Sequence, residues 1–212
     1  DTAPLPEIVT IAKRYDAILM VDDAHATGVF GKQGKGMIEH CGLEGKIDIV
    51  MGSLSKAVGS IGGFIAGSKP LIDFLKNKAR PFIYTTALPP AVCAASMAGL
   101  TLIQEDVSLI DTLWKNIAFL KSRLSTFMDT IAGESPIVPL IVGSAEDAVN
   151  LSTKLYQNGI LIPAIRPPTV PPGTSRLRIS LMATHSADDI NRLIDILQYV
   201  GFLTREHVKD VC

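Results

Sequence analysis

Cysteine is scarce: only Cys41, Cys93 and Cys212 occur, with no Cys-x-x-Cys spacing among them. An odd, scattered set builds neither a disulfide framework nor a thiolate cage, and it suits a reducing compartment. Neither charge predominates, since 20 basic residues face 21 acidic ones for a formal net charge of −1. That balance supplies no basic field for nucleic acid and no basic amphipathic segment for a membrane surface. No apolar run approaches the roughly 20 residues of a spanning helix, and the first residues do not read as a charged-then-apolar leader. These absences predict a cytoplasmic protein without a metal site, acting on a small molecule.

What is present is apolar bulk and repeated strand-then-loop punctuation. With 212 residues, 47% of them hydrophobic, the chain can bury one large core or two modest ones. "PEIVTIAKRY" has Ile8, Val9, Ile11 and Ala12 at helical spacing, and "AILMV" ending in two acids reads as a strand buried on both faces of a parallel sheet. "IDIVM" and "GGFIAG" repeat the strand pattern, and "LIDFLKNKA" the helical one. From Pro89 to about residue 128 the periodicity is helical, as one long helix or two joined near Asp106, with an apolar row through Leu113, Ile117, Leu120 and Leu124. "PIVPLIVG", "ILIPAI" and "RLRISLM" read as strands, "AEDAVNLSTKLYQNG" as a helix, and Ser186 with Asp189 as the capping box of a last helix. The architecture is α/β, divided near "TIAGESP" into residues 1–128 and a smaller αβ unit, 129–212. Because the chain opens at Asp1 without an initiator Met and soon enters a strand, an upstream segment is expected.

Two loops carry the candidate chemistry. In parallel α/β sheets, ligands collect at the carboxyl ends of strands. One such end holds Asp22, Asp23 and His25 in "VDDAH", the other Ser53, Ser55 and Lys56 in "GSLSK". Each alone suits a solvated turn equally well. Together they offer what pyridoxal 5'-phosphate requires: a lysine that can form an imine when desolvated, and an acid to keep a ring nitrogen protonated. Ser53 and Ser55, beside glycines that allow close backbone approach, suit the phosphate.

Four stretches, "VDDAHATGVFGKQGKG", "GSLSKAVGSIGGFIAG", "RPFIYTTALPP" and "AIRPPTVPPGTSRLRIS", resemble the α-oxoamine synthases, fold-type I pyridoxal-phosphate enzymes that join an amino acid to an acyl thioester with loss of carbon dioxide. The resemblance covers about the carboxyl-terminal half of such an enzyme. It implies part of the large parallel-sheet domain of a fold-type I transferase, its long helical connection, and the small carboxyl-terminal αβ domain. It makes Lys56 the lysine that holds the cofactor, Asp22 the partner of the ring nitrogen, and His25 the partner of the ring hydroxyl. Strand alternation by itself groups Asp23, not Asp22, with His25, so the choice of Asp22 rests on the family's Asp-x-x-His spacing. Thr85 and Thr86 match a stretch that reaches the cofactor phosphate of the neighbouring subunit, which implies a homodimer with a shared site. Arg178 matches the arginine that pairs with the amino-acid carboxylate. Arg166 joins it as a second substrate-side arginine or as a loop brace, and Arg176 is expected to point away from Arg178 into solvent.

Within the family the likeness is greatest to the branch that forms 8-amino-7-oxononanoate from L-alanine and a pimeloyl thioester, on CoA or a carrier protein, in biotin synthesis. Branches that use glycine or serine share the lysine, acid and histidine. A helicase-like reading of "VDDAH" lacks the Gly-x4-Gly-Lys-Ser/Thr loop, since "GGFIAGSK" has the wrong spacing. His40, His185 and His207 have no metal-type partners, and Lys32 and Lys35 are expected to be solvated turn lysines or contacts for CoA phosphates.

Overall fold

The computed structural model describes residues 2–128, 131 and 133–203. His207 and Cys212 lie outside them, as do the first two residues of the expected small unit. The chain divides into two compact units, one of Ala3–Ile110 and one of Asp111–Cys212 with Asp1–Thr2.

In the first unit, α1 (Leu5–Arg14) starts with proline in its first turn and buries Leu5 and Val9, one turn apart. These pack with Ile38 of α2 (Met37–His40) and Leu43, and the half-buried Leu19, Val21, Ile47 and Val50 complete the cluster. Of the expected face, Val9 is buried and Ile8 and Ala12 are half-buried, whereas Ile11 is 58% exposed and Leu5 joins the buried stripe instead. Strand β1 (Met20–Asp22) runs parallel to β2 (Ile49–Ser53), with Asp22 opposite Met51. Strand β3 (Gly63–Gly67) returns antiparallel along the other edge of β2. The expectation of a strand buried on both faces is not met: Val21 faces the cluster, whereas Ile18 and Met20 are 79% and 54% exposed. Helices α3 (Lys69–Lys78), α4 (Arg80–Ile83) and α5 (Pro90–Glu105) follow.

The helical connection is two helices, α5 and α6 (Ser108–Leu124). Asp106 breaks it with extended backbone at φ −130° and ψ 92°, and its carboxylate accepts from the Ser108 N–H at 2.9 Å. The division at Ile110/Asp111 precedes the expected one because α6 is committed to the carboxyl-terminal unit. Its row of Leu113, Ile117, Leu120 and Leu124 is at most 8% exposed, and the Asn116 amide donates to the carbonyls of Met182 and His185 at 3.1 and 2.8 Å.

That unit has a sheet in the order β4-β6-β5, from β4 (Ile137–Gly143), β5 (Ala164–Ile165) and β6 (Ser175–Ser180), antiparallel throughout. Val138 and Leu140 pair with Ile179 and Leu177 on one buried face. Helix α7 (Ala145–Gln157) packs on all three strands through Ala148, Leu151 and Leu155. Helix α8 (Ala187–Tyr199) buries Ile190, Leu193, Ile194 and Leu197 and carries the expected Ser186–Asp189 capping box. The strand expected across "ILIPAI" shrinks to two residues. Pro163 has no N–H for a ladder, and its carbonyl instead accepts from Arg178 N at 3.0 Å.

Candidate active site

The parallel pair β1–β2 builds one sheet edge. Asp22 is the last residue of β1 and sits level with Met51, so Ser53, two residues on, lies about 6.6 Å farther along the strand direction. Beyond Asp22 the chain leaves the strand, and alternation no longer decides which way side chains point. Asp22 is exposed, its Oδ1 accepting from the Ala24 N–H at 2.9 Å in a turn typical of aspartate. His25 is exposed on the same turn. Asp23 goes inward and is 3% exposed, both carboxylate oxygens accepting from the Met37 N–H at 3.1–3.2 Å. Burial pushes the Asp23 carboxyl above its ordinary range, the Met37 hydrogen bond opposes this, and the neighbouring Asp22 charge adds to the rise.

After β2 the backbone closes a tight loop, Leu54 N donating to Gly62 O at 2.9 Å and Ser60 N to Leu54 O at 2.8 Å. At its start the Ser53 and Ser55 hydroxyls are 2.7 Å apart, and the Ser55 N–H donates to Ser53 Oγ. Lys56 follows, exposed, its carbonyl accepting from Gly59 N at 2.9 Å. The desolvated pocket expected around this lysine is not formed by the first unit by itself.

Helix α5 is the floor of both loops. Ser96, 7% exposed, has its hydroxyl 2.8 Å from Ser60 Oγ and 2.9 Å from the Val92 carbonyl. A Cβ on Gly99 would lie 2.6 Å from the Val58 carbonyl oxygen, so helix and loop touch where only glycine fits. One turn on, Ile103 packs against Gly28, and a Cβ on Gly28 would also lie 2.7 Å from Ala57 Cβ. Gly28 has φ +77°, a conformation and a closeness both specific to glycine. The turn bearing Asp22 and His25 thus seats directly beside Lys56.

Thr85 and Thr86 are exposed in the segment after α4, among exposed Phe82, Tyr84 and Leu88. The arginines belong to the other unit. Arg178 and Arg176 are half-buried on one face of β6, opposite the buried Ser175, Leu177 and Ile179. This corrects the expectation for Arg176: residues two apart on a strand share a face, and Arg176 Nε donates to Thr174 O at 2.9 Å. Arg178 Nε is buried without a hydrogen-bond partner among the described residues. Arg166 is exposed just past β5, with its carbonyl accepting from Thr169 N at 3.1 Å. Its guanidinium is not bonded to loop carbonyls among the described residues, contrary to the bracing role.

Ser96 and Gly99 carry no signal in the motifs, although two small residues one turn apart on an otherwise apolar helix are a readable sign of close backbone approach, and Asp23, readable beside Asp22, takes a buried place that the motif does not assign. No His, Cys, Asp and Glu grouping suited to a metal occurs among the described residues, and none of their helices is long and apolar enough to cross a membrane. The donor set at the sheet edge, an exposed carboxylate, an imidazole, an amine and paired hydroxyls, fits pyridoxal 5'-phosphate.

A family model described as aminotransferase class I and II matches residues 1–197. The chain is 48% identical over 199 residues to 8-amino-7-oxononanoate synthase of Methylobacillus flagellatus, covering 93% of this chain and 50% of that protein. Its fold matches serine palmitoyltransferase of S. paucimobilis with a bound PLP–myriocin aldimine, at TM-score 0.89 and 34% identity over 95% of this chain and 51% of that one. It also matches 8-amino-7-oxononanoate synthase of Francisella tularensis, at TM-score 0.78 and 29% identity over 92% and 58% of the two chains. The chain spans about half the length of the curated relatives it matches. It therefore belongs to the aminotransferase class I and II family of pyridoxal-phosphate enzymes, and its likeness within that family is to the α-oxoamine synthases.

Proposed function

We propose that this chain carries the lysine, acid and histidine of a C-acyltransferase that joins L-alanine to a pimeloyl thioester. The thiol and carbon dioxide leave, and 8-amino-7-oxononanoate forms. The observation that carries this reading is the seat of Gly28 on Ala57, which sets the Asp22–His25 turn against the Lys56 loop. When bound, pyridoxal phosphate supplies an electron-withdrawing ring conjugated to the reacting carbon.

Around it the residues divide the work. Lys56 Nζ would hold the cofactor and, when not bonded to it, would be the base for the proton on the amino acid's Cα. The Asp22 carboxylate keeps the proton on the ring nitrogen, so charge leaving Cα meets a fixed countercharge. His25 donates to the ring hydroxyl. Ser53 and Ser55 bind the phosphate, joined by Thr85 and Thr86 of the partner subunit in a homodimer. The exposure of those threonines and of the apolar side chains around them suits such a contact. Arg178 binds the amino-acid carboxylate, a role that suits a guanidinium whose Nε has no partner among the described residues, and Arg166 lies on the substrate side. The chain by itself is expected to be inactive, since its relatives are twice as long.

Serine palmitoyltransferase, at 34% identity, would share these residues, as would the Francisella tularensis oxononanoate enzyme at 29%; the 48% identity to the Methylobacillus flagellatus oxononanoate enzyme is what favours L-alanine. The test is an absorbance spectrum of the full-length protein before and after borohydride, with the reduced adduct located by peptide mapping. Attachment at Lys56, lost in Lys56→Ala, is expected. Release of carbon dioxide and CoA with alanine, but not with glycine or serine, then separates the substrates; attachment elsewhere defeats the assignment.

A further inference from the structure

We propose that Asp23 is a positioning residue: its buried carboxylate ties the turn carrying Asp22 and His25 to Gly36 and Met37, fixing how those two side chains present to the cofactor. The inference rests on the cofactor reading above.

Every polar group of Asp23 is engaged in holding that turn. Its N–H donates to Met51 O at 2.7 Å, which extends the β1–β2 pairing one residue beyond Asp22. Its carbonyl accepts from Ala26 N and Thr27 N, both at 2.9 Å, and from Thr27 Oγ1 at 3.0 Å, so it organises the turn around His25. Its carboxylate accepts from Met37 N, fourteen residues on. The site is shaped around that carboxylate: a Cβ on Gly36 would fall 1.7 Å from Asp23 Oδ2, and Gly36 has φ +102°. A buried carboxylate with one N–H donor adds little to folding stability once its desolvation is counted. Its effect is better read in geometry than in stability.

The glycine loop between the two anchors has its own supports. Gly28 N donates to Gly34 O at 2.8 Å and Gly36 N to Phe30 O at 3.0 Å. The Glu39 carboxylate accepts from Gln33 N and Lys35 N at 3.0–3.2 Å. Loss of the Asp23 carboxylate therefore removes the turn's tie to Met37 while the loop bonds and the backbone bonds of Asp23 remain, leaving the Asp22–His25 turn formed but less firmly placed.

The experiment compares Asp23→Ala, Asp23→Asn and Gly36→Ala in the full-length protein loaded with pyridoxal phosphate. It reads the dissociation constant of pyridoxal phosphate, the absorbance maximum of the lysine-bound cofactor, and thermal melting. Asp23→Ala and Gly36→Ala should each weaken cofactor binding about tenfold and shift the band, the scale of one lost buried hydrogen bond to a charged group. Asp23→Asn keeps an oxygen for Met37 N–H and should restore both readouts. Unchanged affinity and band in Asp23→Ala, with only melting lowered, would overturn the proposal, and so would an Asp23→Asn protein as impaired as Asp23→Ala. If Asp23→Ala fails to fold, Gly36→Ala and Asp23→Asn decide by the same readouts. A lysine-bound band persisting in Lys56→Ala would instead refute the cofactor reading.

Discussion

Gly99→Ala sets two opposed effects against each other, and their sizes decide the outcome. In a helix interior the change gains about 0.8–1 kcal/mol of propensity. Against this, the new Cβ would stand 2.6 Å from the Val58 carbonyl oxygen and 3.0 Å from Val58 Cγ1. The oxygen is backbone and cannot swing aside, so overpacking of about 1–3 kcal/mol is expected. The net is a destabilisation of about 0–2 kcal/mol. Relief to ordinary contact, which begins at 3.4 Å, from 2.6 Å moves the loop by about 0.8 Å. That shift passes to Lys56, because Gly59 N, next to Val58, is bonded to Lys56 O at 2.9 Å. Misplacement of a reacting group by about 1 Å can cost about 10²-fold in rate, so kcat should fall roughly tenfold or more, out of proportion to stability. Urea unfolding and steady-state assay of the full-length variant measure the two effects. A variant stabilised by the whole propensity gain and unimpaired in kcat would show that α5 does not press on the Lys56 loop.

Two further outcomes are expected. Arg178→Lys should raise the KM for the amino acid with a smaller effect on kcat, since an ammonium cannot present the paired donors of a guanidinium, and Arg178→Ala should raise it further; steady-state kinetics against alanine concentration checks both. The Ser186 side-chain and backbone hydrogen bonds hold the Asp189 carboxyl below its ordinary range, so the stabilisation it brings is full above that range and disappears as pH falls through the lowered value. Asp23 has the opposite sign: its raised carboxyl binds a proton more readily when folded, so stability declines as pH rises from the ordinary carboxylate range through the raised value. Acid unfolding of Asp189→Asn and Asp23→Asn should lose the first and second of these components respectively.

Some features were legible because they are set by neighbours within four residues. The Ser186–Asp189 box and the proline starts of α1 and α5 depend on local backbone donors and dihedral limits and were readable in order along the chain, and a break at Asp106 was one of the two arrangements the periodicity allowed. The short continuous apolar runs likewise marked strand ends near Asp22 and Ser53, and the four family-like stretches pointed to a lysine-held cofactor. Other features depend on which distant surfaces meet. Strand alternation grouped Asp23 with His25, but the chain leaves the sheet after Asp22, and the Met37 N–H draws Asp23 inward. Arg176 shares a face with Arg178 because β6 continues through both. Periodicity left one helix or two open across Asp106, and only packing assigns the apolar row of α6 to the carboxyl-terminal unit, where Asn116 bonds to carbonyls more than sixty residues away. Above all, the seat of Gly28 on Ala57 over a floor of Ser96, Gly99 and Ile103 joins residues scattered over 76 positions. Composition and spacing determined which side chains are present and which short elements hold them. Only close packing, where one added methyl group would collide, decided that the two loops stand side by side.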